Sequence, residues 1–220
     1  MDIQKQEVVS YLQSLIAPRN ELITKMEHLA EEKTVPIMDI VGMETLLQLL
    51  RLHQPKKILE IGTAIGYSAI RMAEAISDVT IVTVERDEER YNLAVQFVKE
   101  ATLQDRIHLV LGDALEEHSD VTNAAPYDFL FVDAAKGQYE RFFKMYEKLL
   151  KPDGVIITDN VLYKGLVATD YSNLQPRRKK SLVKKIDHFN QWLMNHPDYI
   201  TTILPVGDGI AISKRRGEMK

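Results

Sequence analysis

Two β-rich runs of this sequence end in acid: "FVDAAKG" places Asp133 close to Lys136, and "ITDN" places Asp159 beside Asn160. Neighbouring strands of a sheet lie about 4.8 Å apart. If these two runs are neighbours, Asp133, Asp159 and Asn160 converge on one point at the carboxyl edge of the sheet. Two carboxylates and an amide oxygen, with neither His nor Cys, form a hard oxygen site, which favours Mg²⁺ or another hard divalent cation. A lone strand-end aspartate is most often a cap or turn former. Three such groups in this layout, with Lys136 beside them, make coincidence a weaker explanation.

A second chemical feature is the turn in "LEIGTAIGYSAIRMA" (59–73), which runs from a β-branched stretch through two glycines into an apolar-periodic helix. The dinucleotide fingerprint needs three glycines, the second so that a pyrophosphate can approach the backbone. Counted from Gly62, those positions hold Ala64 and Tyr67, so the fingerprint fails twice, and no Walker lysine is present. Yet Glu85 ends the next β-run 19 residues after Gly66, where an acid that grips ribose hydroxyls belongs. A turn that reads a ribose without meeting a pyrophosphate suits S-adenosylmethionine. Asp113, in "LGDA" at the end of the following run, is placed to accept from an adenine amino group.

The elements that must position these groups follow from hydrophobic period. The first fifty residues read as helices, "QEVVSYLQSLI", "RNELITKMEHLAEEK" and "DIVGMETLLQLLRL", separated by Pro18 and Pro36. From Lys56 the pattern changes to short apolar runs at 56–62, 79–85, 106–113, 127–133 and 154–160, with helices near 66–77, 88–102, 138–150 and 176–195. Near-continuous apolar strands alternating with helices predict a parallel sheet covered on both faces. The chain then closes with "DYITTILPV", a Gly-Asp-Gly turn at 207–209 and "IAISKRR", read as an antiparallel hairpin. The expectation is one α/β domain over 1–220: N-terminal helices over 1–52, and a Rossmann-like core over 56–214 with a mostly parallel seven-stranded sheet.

Composition narrows the class. With 220 residues, 45% hydrophobic, the chain is long enough for a full core. The absence of cysteine excludes disulfides and thiolate metal sites and makes a reducing cytoplasm the expected compartment. Neither a signal peptide nor a membrane span is expected. The net charge of −4 argues against a dedicated nucleic-acid binder, but "PRRKKSLVKK" (176–185) carries six bases and no acid, and the tail "SKRRGEMK" carries four bases against one acid. Such runs are most often solvated faces; the alternative is a phosphate-tracking surface.

The segments "EIGTAIGYSAIRMA", "VTVE", "LGDA", "FVDAAKGQY" and "ITDNVLYKG", in this order, resemble the metal-dependent class I O-methyltransferases of the catechol and caffeoyl-CoA type. The likeness spans roughly residues 35 to 214. It implies that Met38, Gly62, Ser68, Glu85, Asp113 and Asp133 line the adenosylmethionine pocket, that Asp133, Asp159 and Asn160 hold the metal, and that Lys136 is the catalytic lysine. It also implies a homodimer. One departure is that Ala134 and Ala135 stand where the catechol enzymes carry bulky aromatic residues. The chemistry implied is chelation of two adjacent acceptor oxygens, loss of a proton to Lys136 or its charge steadying the anion, and attack on the sulfonium methyl. The chain is similar, too, to the bacterial subgroup that methylates 5-hydroxyuridine at the tRNA wobble position. That base carries vicinal oxygens and sits in a single-stranded anticodon loop. Lys164, Arg177, Arg178, Lys179, Lys180 and Arg215 are then the expected RNA contacts. The alternatives are a small catechol or caffeoyl-CoA-like acceptor, which makes the basic run incidental, and a non-catalytic nucleotide- or RNA-binding module.

Overall fold

The structure is a computed structural model that describes residues 6–217. Three helices open the chain, α1 (Gln6–Leu15), α2 (Glu21–Glu32) and α3 (Ile40–His53). The rest alternates as β1 (Lys57–Ile61), α4 (Tyr67–Ala75), β2 (Thr80–Glu85), α5 (Glu88–Glu100), β3 (Ile107–Leu111), α6 (Ser119–Ala124), β4 (Tyr127–Val132), α7 (Tyr139–Tyr146), β5 (Leu150–Thr158), α8 (Arg177–Met194), β6 (Tyr199–Leu204) and β7 (Ile210–Arg215). Helix starts follow capping chemistry. Asn20 accepts from Ile23 N at 2.9 Å, Asp39 from Val41 N and Gly42 N, and Asp87 from Arg90 N at 3.0 Å, each meeting backbone donors that a first helical turn leaves open.

The sheet runs β3-β2-β1-β4-β5-β7-β6. The first five strands pair in parallel, and β7 is antiparallel to both β5 and β6. This is the Rossmann-like methyltransferase architecture with a closing antiparallel hairpin. Apolar residues of alternate parity face opposite sides. Ile58, Ile81, Phe129 and Ile157 pack under α2 to α5, while Leu59, Val82, Leu130 and Ile156 pack under α6, α7 and α8. Burial on both faces is why these strands read as unbroken apolar runs.

Strand order reverses between β1 and β4, so the chain diverges at that point and opens a crevice beyond the strand ends. The ladder continues one residue past each strand: Gly62 N donates to Val84 O at 3.0 Å, Asp133 N to Ile61 O at 2.9 Å, and Asp159 N to Val132 O at 3.0 Å. Gly62, Asp133 and Asp159 are therefore held side by side at the sheet's carboxyl edge. Among the described residues, no helix is long and apolar enough to cross a membrane.

Candidate active site

Gly62 sits at the switch point with φ +100°, and a Cβ built there would lie 2.3 Å from the carbonyl oxygen of Asp133. The glycine is required by contact with the neighbouring strand end, in a backbone region that side chains rarely adopt. Beside it Glu85 is fixed on three backbone donors: Ala64 N at 2.8 Å, Arg86 N at 2.9 Å and Asp87 N at 2.8 Å. Asp113 accepts from Leu115 N at 2.9 Å. Gly62, Glu85, Asp113 and Asp133 line one cavity of about 550 Å³, along with Ala134 and Ala135.

The other two residues expected at the cofactor, Met38 and Ser68, are not among those that line this cavity. Met38 is buried and lines the adjoining cavity. Ser68 lies beneath the turn and donates to the Glu60 carboxylate, whose second oxygen accepts from Thr83 at 2.5 Å. Glu60 is fully buried on β1, and burial raises its pKa to about 8. Nothing in the sequence marks this acid as interior, because its partners come from β2 and α4.

Asp133, Asp159 and Asn160 do converge. Asn160 Nδ2 lies 2.9 Å from Asp133 Oδ1 and 2.9 Å from Asp159 Oδ2, so one amide bridges two carboxylates. Burial, and next the charge of Asp133, push the Asp159 carboxyl well above the ordinary range. Burial raises Asp133 as well, with the Lys136 charge opposing and the Asp208 charge adding to the effect. Two buried like charges that disfavour each other's ionised form fit a bound divalent cation, and rotation of the Asn160 amide turns its oxygen towards them. The donor set is two carboxylates and an amide; among the described residues no group of three or more His, Asp or Glu stands in a metal-holding arrangement.

The Lys136 segment is one turn of 3₁₀ helix, Lys136–Gln138, running into α7. Tyr139 ties it to the end of β5 by donating to the Asp159 carbonyl at 2.8 Å. Lys136 borders both the cofactor-side cavity and a second one of about 810 Å³, which also meets Asp133, Asp159 and Asn160. Val8, Val9 and Leu12 of α1, with Ile37, supply apolar wall to that second cavity. Ala134 and Ala135 border only the first of these two cavities, while α1 and the loops after β5 and β6 shape the second.

The loop after β5 is strained. Asn160, Tyr163 and Lys164 have φ of +64°, +45° and +56°. The turn between β6 and β7 holds it: Lys164 N donates to Asp208 Oδ1 at 2.7 Å, and Leu162 N to Asp208 O at 2.8 Å. Gly209 permits this approach, since a Cβ there would lie 2.4 Å from Leu162 Cγ. Asp208 thus positions the segment that carries Asn160. Sequence reasoning read "GDG" as a hairpin turn alone, and only the pairing of β7 with β5 reveals the second role.

The basic residues divide. Lys164 is exposed at the lip of the 810 Å³ cavity. Arg177 and Arg178 are exposed at the start of α8, whereas Lys179 and Lys180 are half-buried and Lys180 Nζ donates to the Ser172 carbonyl. Arg215 does not join them. Because β7 runs antiparallel to β5, Lys214 pairs with Val155 near the far end of the strand, and Arg215 lies at the opposite edge of the sheet from the site. It is occupied there, donating to Tyr199 Oη at 2.9 Å and to Glu147 O at 2.8 Å. The expectation that Arg215 joins the other basic residues as an RNA contact is therefore corrected.

These features, a glycine turn and ribose-type acid beside a carboxylate pair with a lysine, define a class I methyltransferase. Comparison with known proteins agrees: the O-methyltransferase family profile matches residues 13–216, and the chain belongs to that family. It is 36% identical over 177 residues to a caffeoyl-CoA O-methyltransferase of Medicago sativa, covering 77% of this chain and 71% of the relative. Among solved structures, a caffeoyl-CoA O-methyltransferase candidate from Staphylococcus aureus is similar at 37% identity and a TM-score of 0.86, covering 98% of this chain and all (100%) of that one. An O-methyltransferase from Bacillus cereus in complex with SAH is similar at 28% identity and a TM-score of 0.81, covering 96% and 97% of the two chains. The protein is an S-adenosylmethionine-dependent O-methyltransferase of the caffeoyl-CoA type.

Proposed function

We propose that the protein methylates an acceptor with two vicinal oxygens, and that this acceptor is the 5-hydroxyuridine of a tRNA wobble position, giving 5-methoxyuridine. The observation that carries the acceptor is the cationic face of α8. Arg177, Arg178, Lys184 and Lys185 are all exposed on α8, and Lys184 and Lys185 stand beside the Lys136 segment. An unpaired loop base enters a pocket at little cost, and its 5-hydroxyl and 4-carbonyl oxygens are vicinal as in a catechol.

The protein's own groups divide the work. Glu85 and Asp113, fixed by backbone donors, hold the ribose and adenine ends of the donor in the cavity behind Gly62. Asp133, Asp159 and Asn160 would hold a divalent cation, which would lower the pKa of an acceptor hydroxyl. Lys136, between the two cavities, takes that proton or steadies the resulting anion. The α1 wall and the 160–165 loop exclude water and orient the acceptor, and alignment of the two reactants supplies a large part of the rate.

A second reading has its own support. Named relatives act as caffeoyl-CoA O-methyltransferases, and the apolar wall of Val8, Val9, Leu12 and Ile37 suits a phenol ring. On that reading the α8 cations are a solvated face. Labelled S-adenosylmethionine and Mg²⁺ offered in parallel to tRNA carrying unmethylated 5-hydroxyuridine, to caffeoyl-CoA and to catechol decide between them. Label mapped to the wobble base supports the RNA acceptor; label confined to the phenols refutes it.

A further inference from the structure

Lys136 borders a third cavity, a cleft of about 500 Å³ between the 136–141 segment and α8 that belongs to neither the cofactor nor the acceptor space. We infer that this cleft, through Lys184 and Lys185, binds the phosphodiester backbone of the RNA flanking the base held at the active site. The inference rests on the RNA acceptor proposed above and adds to it the surface that grips the chain.

Three observations carry it. The first is unpaired charge. Lys136, Arg141, Lys184 and Lys185 line the cleft, against the single carboxylate of Glu140. That carboxylate is already held by Lys144 at 2.6 Å. Lys136, Lys184 and Lys185 take part in none of the ion pairs among the described residues. A cluster of unneutralised lysines in a chain of net charge −4 is where an anion binds.

The second is helix geometry. Residues three and four apart share a helix face, so Arg177, Ser181, Lys184, Lys185 and His188 form one stripe, and all are exposed. Val183, Ile186, Phe189 and Leu193 occupy the opposite, buried face. The stripe runs along the helix rather than gathering at a point, which matches a chain of phosphates better than a single anion.

The third is proximity to the chemistry. A Cβ built on Gly137 would lie 3.7 Å from Lys185 Nζ. That ammonium therefore stands beside the residue that follows Lys136, with no side chain between them. A base seated in the acceptor cavity leaves its flanking phosphates outside it, and the cleft opens from the other side of Lys136.

The test is the affinity of the full-length protein for tRNA carrying 5-hydroxyuridine, measured across a salt series for the wild type and for Lys184→Ala/Lys185→Ala. Each phosphate neutralised on a single strand contributes about 0.7 to the slope of log K against log salt. The double variant is expected to bind tRNA roughly tenfold more weakly near 0.1 M salt with a slope shallower by about 1.4, while its affinity for S-adenosylmethionine and its melting temperature are unchanged. Lys184→Arg/Lys185→Arg should keep the affinity. Wild-type and alanine variants that bind tRNA equally, with equal slopes, overturn the cleft assignment, and the RNA acceptor then stands or falls on whether label appears in the wobble base. A wild type that binds no tRNA at all overturns both together.

Discussion

Glu60 offers the sharpest stability prediction. Its carboxyl is fully buried among Ser68 and Thr83 hydroxyls, and burial raises its pKa from 4.5 to about 8. The folded protein therefore holds a proton that the unfolded chain has released across that interval. Because the folded state binds more protons, stability falls as pH rises from near 4.5 to about 8 and is level on either side. At about 1.4 kcal/mol per pH unit the full loss reaches roughly 5 kcal/mol as an upper bound. Glu60→Gln keeps the shape and lets the amide donate to one hydroxyl and accept from the other, with nothing left to ionise. Denaturant melts of both proteins at pH 5, 6.5 and 8 in EDTA give the difference in stability, in which every other titrating group cancels. The variant should match the wild type within about 1 kcal/mol at pH 5 and exceed it by several at pH 8. Parallel stability curves would refute a buried neutral carboxyl at this position.

Other perturbations test the site itself. Gly62→Ala pushes a methyl into the Asp133 carbonyl at a φ of +100°, and should cost roughly 2–4 kcal/mol in denaturant melts with loss of S-adenosylmethionine binding by calorimetry. Lys136→Met should lower kcat by about 10²- to 10⁴-fold while donor affinity, read by calorimetry, is unchanged. Asp208→Ala removes the acceptor of Lys164 N and loosens the loop carrying Asn160; the Mg²⁺ concentration giving half-maximal activity should rise several-fold, and Asp208→Asn, which keeps an acceptor, should restore most of it. At the other end of the sheet Asp128 is held below the ordinary carboxylate range: burial alone would raise it, but Lys151 at 2.6 Å and the backbone N–H groups of Lys57 and Lys56 outweigh that. Its contribution is present above its unfolded pKa and fades as pH falls through the folded one, so Asp128→Asn should narrow its stability deficit in melts below pH 4.

Much of this was legible in the sequence, for identifiable reasons. Strands buried on both faces leave unbroken apolar runs, so β1 to β4 lie within a residue or two of expectation. β5 starts at Leu150 instead of 154, because Pro152 and Asp153 carry a turn signature that pairing of Leu150 with Tyr127 overrides. Six-residue α6 is too short to show a helical period. Asp133, Asp159 and Asn160 were visible because strand ends in a parallel sheet share one edge, so type and position imply convergence. The burial of Glu60 was not legible, because from the sequence it looks like one polar residue in a strand and its partners Ser68 and Thr83 come from other elements. Arg215 shows the limit most plainly: its charge is in the sequence, but only the antiparallel direction of β7 decides which edge of the sheet receives it.

In the proposed mechanism the switch-point carboxylate pair supports cation-dependent methyl transfer. The measurement that tests it most directly is turnover of labelled S-adenosylmethionine, on the acceptor found active, against added Mg²⁺ for the wild type and Asp159→Ala, with donor affinity measured on the same preparations. The expected result is saturable activation of the wild type, its abolition by EDTA, and no turnover by the variant at any Mg²⁺ concentration despite intact donor binding. Equal turnover by the two proteins, or full wild-type activity in EDTA, would contradict it.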